Sequence, residues 1–152
     1  MQTPDEVVQA FVTAVETAVR EMAGVEAVAS PVHPITGPKD FGDLSAVLKL
    51  TSGAEGCFVL SVPIATADTL ARRILADVMP EPAPDMVRDC LGEVANVVAG
   101  QAKSLLAGTQ YHFLFATPIV VDGRPAMVGP GDWLVEFHSN AGPFTFHMCL
   151  DG

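Results

Sequence analysis

Three polar residues, Asp89, Glu93 and Asn96, lie at helical spacing within one segment of the chain. Residues three or four positions apart on a helix project from the same face, so these three side chains are predicted to be neighbours. Two carboxylates four positions apart could act as a general acid and a general base. That chemistry requires desolvation that keeps one carboxyl protonated, and nothing in the sequence indicates it. An acid and an amide are also common on solvated helix faces, so spacing alone leaves both interpretations open.

The segment that carries these residues has the pattern of a long amphipathic helix from Asp85 to Ala107, closed by Gly108. Its predicted core face consists of Val87, Cys90, Leu91, Val94, Val97, Val98, Leu105 and Leu106. The predicted outward face consists of Asp89, Glu93, Asn96, Gly100 and Lys103. Asparagine is a poor interior helix former, and Gly92 and Gly100 each cost the helix about 1 kcal/mol relative to alanine. Such small neighbours leave Glu93 and Asn96 clear, so another backbone could approach them closely.

The elements around this helix form separate blocks of helices and antiparallel hairpins, which favours an α+β fold. An amphipathic first helix is predicted to begin at Thr3-Pro4 and to end at Gly24, and a short second helix to be capped by Thr66 and to stop at Met79-Pro80. The predicted strands are an edge strand at Val25–Val32, a hairpin of Leu44–Thr51 and Cys57–Val62, and then Tyr111–Val121, Trp133–His138 and Phe144–Leu150. We expect one domain over residues 1–152, with an antiparallel sheet packed against long helices.

Composition excludes several classes of function. The chain has 18 Asp and Glu against 8 Lys and Arg, a net charge of −10, which argues against binding nucleic acid or anionic lipid surfaces. The acidic N-terminus does not resemble a signal peptide, and no apolar run reaches the roughly 18 residues of a membrane span. Three cysteines without CxxC spacing are typical of a reducing compartment, so we expect a cytoplasmic protein.

A metal site is the other chemistry that the side chains suggest. His138, His147 and Cys149 could approach one another across the last predicted hairpin. A structural zinc site needs four ligands, however, and no fourth ligand lies nearby in the sequence. We therefore expect no metal on this chain. Motifs for nucleotide binding are also missing from the sequence.

The run Leu91-Gly92-Glu93-Val94-Ala95-Asn96-Val97-Val98-Ala99-Gly100-Gln101-Ala102-Lys103 resembles the signature helix of the CheX/CheC/FliY chemotaxis phosphatases, and of CheX-like members in particular. The similarity runs from about Ala46 to Val121. The family also has a proline downstream of the asparagine. Here Pro118 lies 22 positions after Asn96, one position closer than is usual in the family.

The resemblance implies a CheC/CheX-like fold and a function in two-component signalling. Family members hydrolyse the aspartyl-phosphate of CheY-like response regulators by inserting this helix into the regulator's active site. Asn96 would then orient the attacking water, and Glu93 would pair with a lysine of the regulator. The remaining partner-binding positions carried over are Asp89, Gly92, Gly100, Lys103 and Pro118. No cofactor is expected on this chain, because the phosphorylated regulator would supply Mg²⁺.

The resemblance also implies a homodimer, and pairing between chains of Trp133–His138 and Phe144–Leu150 as edge strands is one route to it. Two other functions remain open at this point. A non-catalytic receiver-binding or scaffolding module would keep the fold and the dimer. A dimeric small-molecule sensor would require an apolar internal pocket and would tolerate the loss of Asn96.

Overall fold

The computed structural model describes residues 5–34, 42–52, 55–123 and 132–151, and three helices lie in these ranges. They are α1 (Asp5–Ala23), α2 (Ile64–Ile74) and α3 (Pro84–Leu105). The predicted start of the first helix at Thr3-Pro4 lies outside the described residues. Its predicted end is confirmed, because Gly24 has a φ of 64° and its N–H donates to the Arg20 carbonyl at 3.0 Å. None of the helices in these ranges is long and apolar enough to cross a membrane.

Eight strands form one antiparallel sheet, which confirms the predicted α+β class. Along the sheet the order is β1-β7-β8-β4-β3-β5, while β2 also pairs with β7 and β6 also pairs with β3. The strands are β1 (Ala27–Ala29), β2 (His33–Pro34), β3 (Leu44–Ser52), β4 (Glu55–Val62), β5 (Leu114–Phe115), β6 (Ile119–Asp122), β7 (Trp133–Ser139) and β8 (Phe144–Asp151).

The main core lies between the three helices and one face of this sheet. Phe11 of α1 is fully buried and stacks on Phe58 of β4, with ring centroids 3.9 Å apart, and on Phe146 of β8 at 5.5 Å. A smaller buried cluster occupies the opposite face of the sheet and consists of Val47, Cys57, Val59 and Leu134. Because the helices cover only one face, the outward side of α3 remains available to solvent.

The predicted hairpin and the short second helix can be compared directly with the structure. The hairpin is confirmed as β3 and β4, which pair from Leu44 with Val62 to Lys49 with Cys57. The predicted cap at Thr66 is wrong, because α2 begins at Ile64 and the Thr66 hydroxyl donates instead to the Pro143 carbonyl at 3.0 Å. The helix also ends at Ile74, before the predicted stop at Met79-Pro80.

The predicted strand Tyr111–Val121 is two short strands with a break between them. Both β5 and β6 pair with β3, at opposite ends of that strand. The break falls at residues 116–118, where Pro118 has no N–H to donate to a neighbouring strand. Thr117 and Pro118, which lie in the break, line a cleft together with residues of α3.

The predicted edge positions of the last two strands are wrong. β7 lies between β8 on one side and β1 with β2 on the other, and β8 lies between β7 and β4. Strand pairing between chains through Trp133–His138 or Phe144–Leu150 is therefore blocked by the chain's own strands. The predicted edge strand near the N-terminus exists as β1, which pairs only with β7 among the described strands. The homodimer itself stays a prediction.

Candidate functional site: a cleft beside helix α3

Helix α3 positions most of the predicted site. Pro84 occupies the first helical position, Asp85 lies in the first turn and Lys103 in the last, which is the favourable arrangement for the helix dipole. Its buried face includes Val87, Cys90, Leu91, Val94, Ala95, Val98, Ala99 and Ala102. The prediction that Leu105 lies in the core is wrong, because Leu105 is the last helical residue and is 47% exposed. Leu106, also predicted in the core, is buried.

The opposite face of α3 is polar and open to solvent, as predicted. Asp89, Glu93, Asn96, Gly100 and Lys103 are all exposed. Because both carboxylates are exposed, the site lacks the desolvation that an acid–base pair of Asp89 and Glu93 would need. This face therefore presents hydrogen-bonding groups to the solvent.

A cleft of about 610 Å³ runs between this face and the chain around the break after β5. Its lining residues are Arg88, Asp89, Gly92, Glu93, Asn96, Thr117, Pro118 and Val120. Five of the seven predicted site residues thus come together, and Pro118 faces the helix even though it is 22 positions from Asn96. Pro118 lines the cleft despite the one-position difference from the usual family spacing.

Gly100 and Lys103 do not line this cleft but an adjoining depression of about 290 Å³. The two cavities share Asn96 and Thr117, so they form one continuous surface with Asn96 at the junction. The whole predicted set therefore lies along one side of α3.

The two glycines of this surface differ in their surroundings. A Cβ added to Gly92 would lie 3.6 Å from Val120 Cγ2, which is ordinary van der Waals contact with β6. A Cβ added to Gly100 would meet nothing within 4 Å. The chain's own packing therefore does not require glycine at position 100.

Arg88 is a member of the site that the sequence did not reveal. Its Nη1 donates to Asp122 Oδ1 at 2.6 Å, and its Nη2 donates to the Val120 carbonyl at 3.1 Å. Both acceptors belong to β6, on the far side of the cleft. Asp122 lies 34 positions away in the sequence, so no local pattern links the two residues.

The thiol beneath the polar face is kept neutral. Burial raises the pKa of the Cys90 thiol, and the carboxylates of Asp89 and Glu93 raise it further. A thiolate is the reactive form of cysteine. Cys90 is therefore a packing residue of α3 and not a nucleophile of the site.

The two histidines considered for a metal site do not come together, and the side chain of Cys149 lies outside the part of the chain that the structure describes. Leu134 is the register partner of His147, and His138 lies four positions further along β7, which is roughly 13 Å at the usual rise of a strand. His147 is buried while His138 is exposed. Among the residues that the structure describes, no group of three His, Cys, Asp or Glu side chains could hold a metal ion.

Similarity to solved structures extends over nearly the whole chain. A chemotaxis protein CheX from Desulfovibrio desulfuricans is 27% identical, with a TM-score of 0.84 over 96% of this chain and 99% of that chain. A CheX from Vibrio vulnificus gives a TM-score of 0.83 at 22% identity, over 96% and 99% of the two chains. The CheX–CheY–BeF₃–Mg²⁺ complex from Borrelia burgdorferi gives a TM-score of 0.78 at 20% identity, over 96% and 98%. The fold is that of the CheC/CheX-like proteins.

The family comparison is more specific than the fold. The family described as chemotaxis phosphatase CheX matches residues 44–131, which is more than half of the 152 residues and includes all of α3 and Pro118. The chain belongs to the CheX family. No curated protein matches the sequence.

Proposed function

We propose that this protein hydrolyses the aspartyl-phosphate of a CheY-like response regulator. The observation that carries the proposal is the cleft in which Glu93 and Asn96 of α3 stand opposite Pro118, on an exposed helix face of a CheX-family chain. The complex of a Borrelia CheX with CheY, BeF₃ and Mg²⁺ supports a receiver domain as the partner. In this mechanism α3 enters the active site of the receiver.

Asn96 is proposed to orient the attacking water. Its amide can accept a hydrogen bond from the water and donate one to the phosphoryl group. The water oxygen forms a bond to phosphorus as the bond between phosphorus and the aspartyl oxygen breaks, which leaves inorganic phosphate and a free carboxylate on the receiver. Because a carboxylate is a weak base, its departure requires no acid on this chain. Positioning can then supply much of the acceleration.

Glu93 is proposed to hold the receiver in register by pairing with a lysine of its active site. Glu93 is exposed and lies three positions before Asn96, so a contact at Glu93 places the amide at a defined distance from the phosphoryl group. Mg²⁺ is proposed to arrive with the receiver, where it supplies charge stabilisation of the phosphoryl group.

The test is the decay of the acyl phosphate on purified receivers. Every CheY-like receiver of the source organism is phosphorylated with acetyl phosphate in the presence of Mg²⁺, and decay is followed with and without this protein. At least one receiver is expected to lose phosphate faster in proportion to the protein added. Ser104→Ala, an exposed position of the same helix outside both cavities, serves as the control and is expected to match wild type.

Two outcomes would contradict the proposal in different ways. Binding of a receiver without faster decay would identify the chain as a non-catalytic receiver-binding module. If no receiver binds and none loses phosphate faster, receiver domains are excluded as the partner.

A further inference from the structure

Arg88 connects the two walls of the cleft. One wall is α3 from Arg88 to Asn96, and the other runs from Thr117 to Val120. The guanidinium reaches from the first wall to the second, where it pairs with Asp122 Oδ1 at 2.6 Å and donates to the Val120 carbonyl at 3.1 Å. A guanidinium offers several donors in a rigid plane, so these two bonds link the helix directly to the strand.

The far wall is held to the sheet by the pairing of β6 with β3, from Ile119 with Val47 to Asp122 with Leu44. β6 is only four residues long, and Pro118 before it cannot donate a backbone hydrogen bond. On the helix side, Gly92 faces Val120 without a side chain that could pack on it. Arg88 adds a direct link between α3 and this strand, so its contacts contribute to the width of the cleft near Glu93.

We infer that Arg88 is a positioning residue of the phosphatase site, which sets the width of the cleft for the receiver by tying α3 to β6. The inference rests on the proposed function.

The chain offers a closely matched control at Arg72. Its Nε pairs with Asp68 Oδ2 at 2.6 Å, and its Nη1 donates to the Pro80 carbonyl at 3.1 Å. Arg72 therefore makes the same combination of contacts as Arg88, one carboxylate and one backbone carbonyl. It lines neither the cleft nor the adjoining depression.

The test compares KM and kcat for the phosphorylated receiver in Arg88→Met, Arg88→Lys, Asp122→Asn and Arg72→Met. We expect Arg88→Met to raise KM roughly three- to tenfold with kcat within about twofold of wild type, since α3 and β6 are no longer tied at the cleft width that the receiver needs. Arg88→Lys should restore part of the change, because lysine keeps the charge but not the planar pair of donors. Asp122→Asn should also raise KM, because the charge pair that helps to tie α3 to β6 is lost. Arg72→Met should leave both constants unchanged.

A purely structural role of Arg88 predicts a different result. Partial unfolding lowers the active fraction and therefore the apparent kcat, and it leaves KM unchanged. If Arg88→Met does not fold, Arg88→Lys and Asp122→Asn carry the comparison. If the wild type is active but these variants have the same KM as Arg72→Met, the role of Arg88 is overturned and the proposed function stands. An inactive wild type would overturn the proposed function, and the inference with it.

Discussion

Asn96 and Gly100 both lower the stability of helix α3 relative to alanine at the same positions. In a helix interior, asparagine is less favourable than alanine by about 0.6 kcal/mol and glycine by about 1 kcal/mol. Both positions are exposed, and a Cβ at position 100 would have open space around it. Since the chain's own packing gains nothing from either residue, their presence supports a surface that an outside partner approaches closely.

Replacing Gly100 with alanine should therefore raise the stability of the protein and weaken its binding to the receiver. Gly100→Ala is expected to raise the free energy of unfolding by about 0.5–1 kcal/mol, because alanine is the better helix former. The added methyl group is also expected to weaken binding of the receiver. Chemical denaturation and titration with a receiver domain measure the two effects. Ser104→Ala is the control, with a smaller gain in stability and unchanged binding. Unchanged receiver affinity in Gly100→Ala would exclude a close approach at this position.

Glu93 is expected to act in docking, not in turnover. Glu93→Ala should lower the affinity for the receiver by roughly tenfold, the usual scale for a lost charge pair at an interface. Titration of a receiver domain by calorimetry measures this directly. Glu21→Ala removes another exposed acid, on α1, and should leave the affinity unchanged. An equal affinity for both variants and wild type would remove the docking role of Glu93.

The sequence could predict the part of the site that lies on one helix. Asp89, Glu93 and Asn96 are neighbours because of helical spacing alone, and the structure confirms that they share a face. Pro118 came only from the family resemblance, since it belongs to a different element. Arg88 could not be predicted, because its contacts with Val120 and Asp122 depend on how β6 pairs with β3.

At the scale of elements, α1 joins the helix layer to the sheet through Phe11. Phe11→Ala should reduce the free energy of unfolding by about 3–5 kcal/mol, because it removes a buried ring that stacks on two others. Denaturation by urea measures the loss. Phe115→Ala removes a partly buried ring and should cost less. Equal losses in the two variants would contradict the central place of Phe11 in the core.

The elements themselves were largely predictable, and their order in the sheet was not. Periodicity indicated the long helix and the hairpin of β3 and β4, because these depend on nearby residues. The pairing of β4 with β8 and of β1 with β7 joins distant parts of the chain, which no local pattern encodes. β1 falls within the predicted edge strand Val25–Val32, whereas β2 has only two residues and was not predicted. Both pair with β7 and remove its predicted edge.

At the scale of the whole molecule, the net charge of −10 affects how a partner arrives. A receiver with an acidic, phosphorylated pocket would be steered weakly or repelled at long range. Added salt of about 0.1 M should therefore leave the association rate unchanged or raise it, since it screens that repulsion. Stopped-flow binding at several salt concentrations measures the rate. A steep fall with salt would show that attraction between opposite charges drives the encounter.

The central claim is that Asn96 accelerates hydrolysis by positioning water in the receiver's active site. The most direct measurement is the single-turnover decay of the acyl phosphate on a receiver saturated with wild-type protein or with Asn96→Ala. Saturation removes any difference in affinity from the comparison. We expect the variant to bind, to be slightly more stable than wild type, and to be slower by about 100-fold or more. Equal decay rates at saturation would contradict the account.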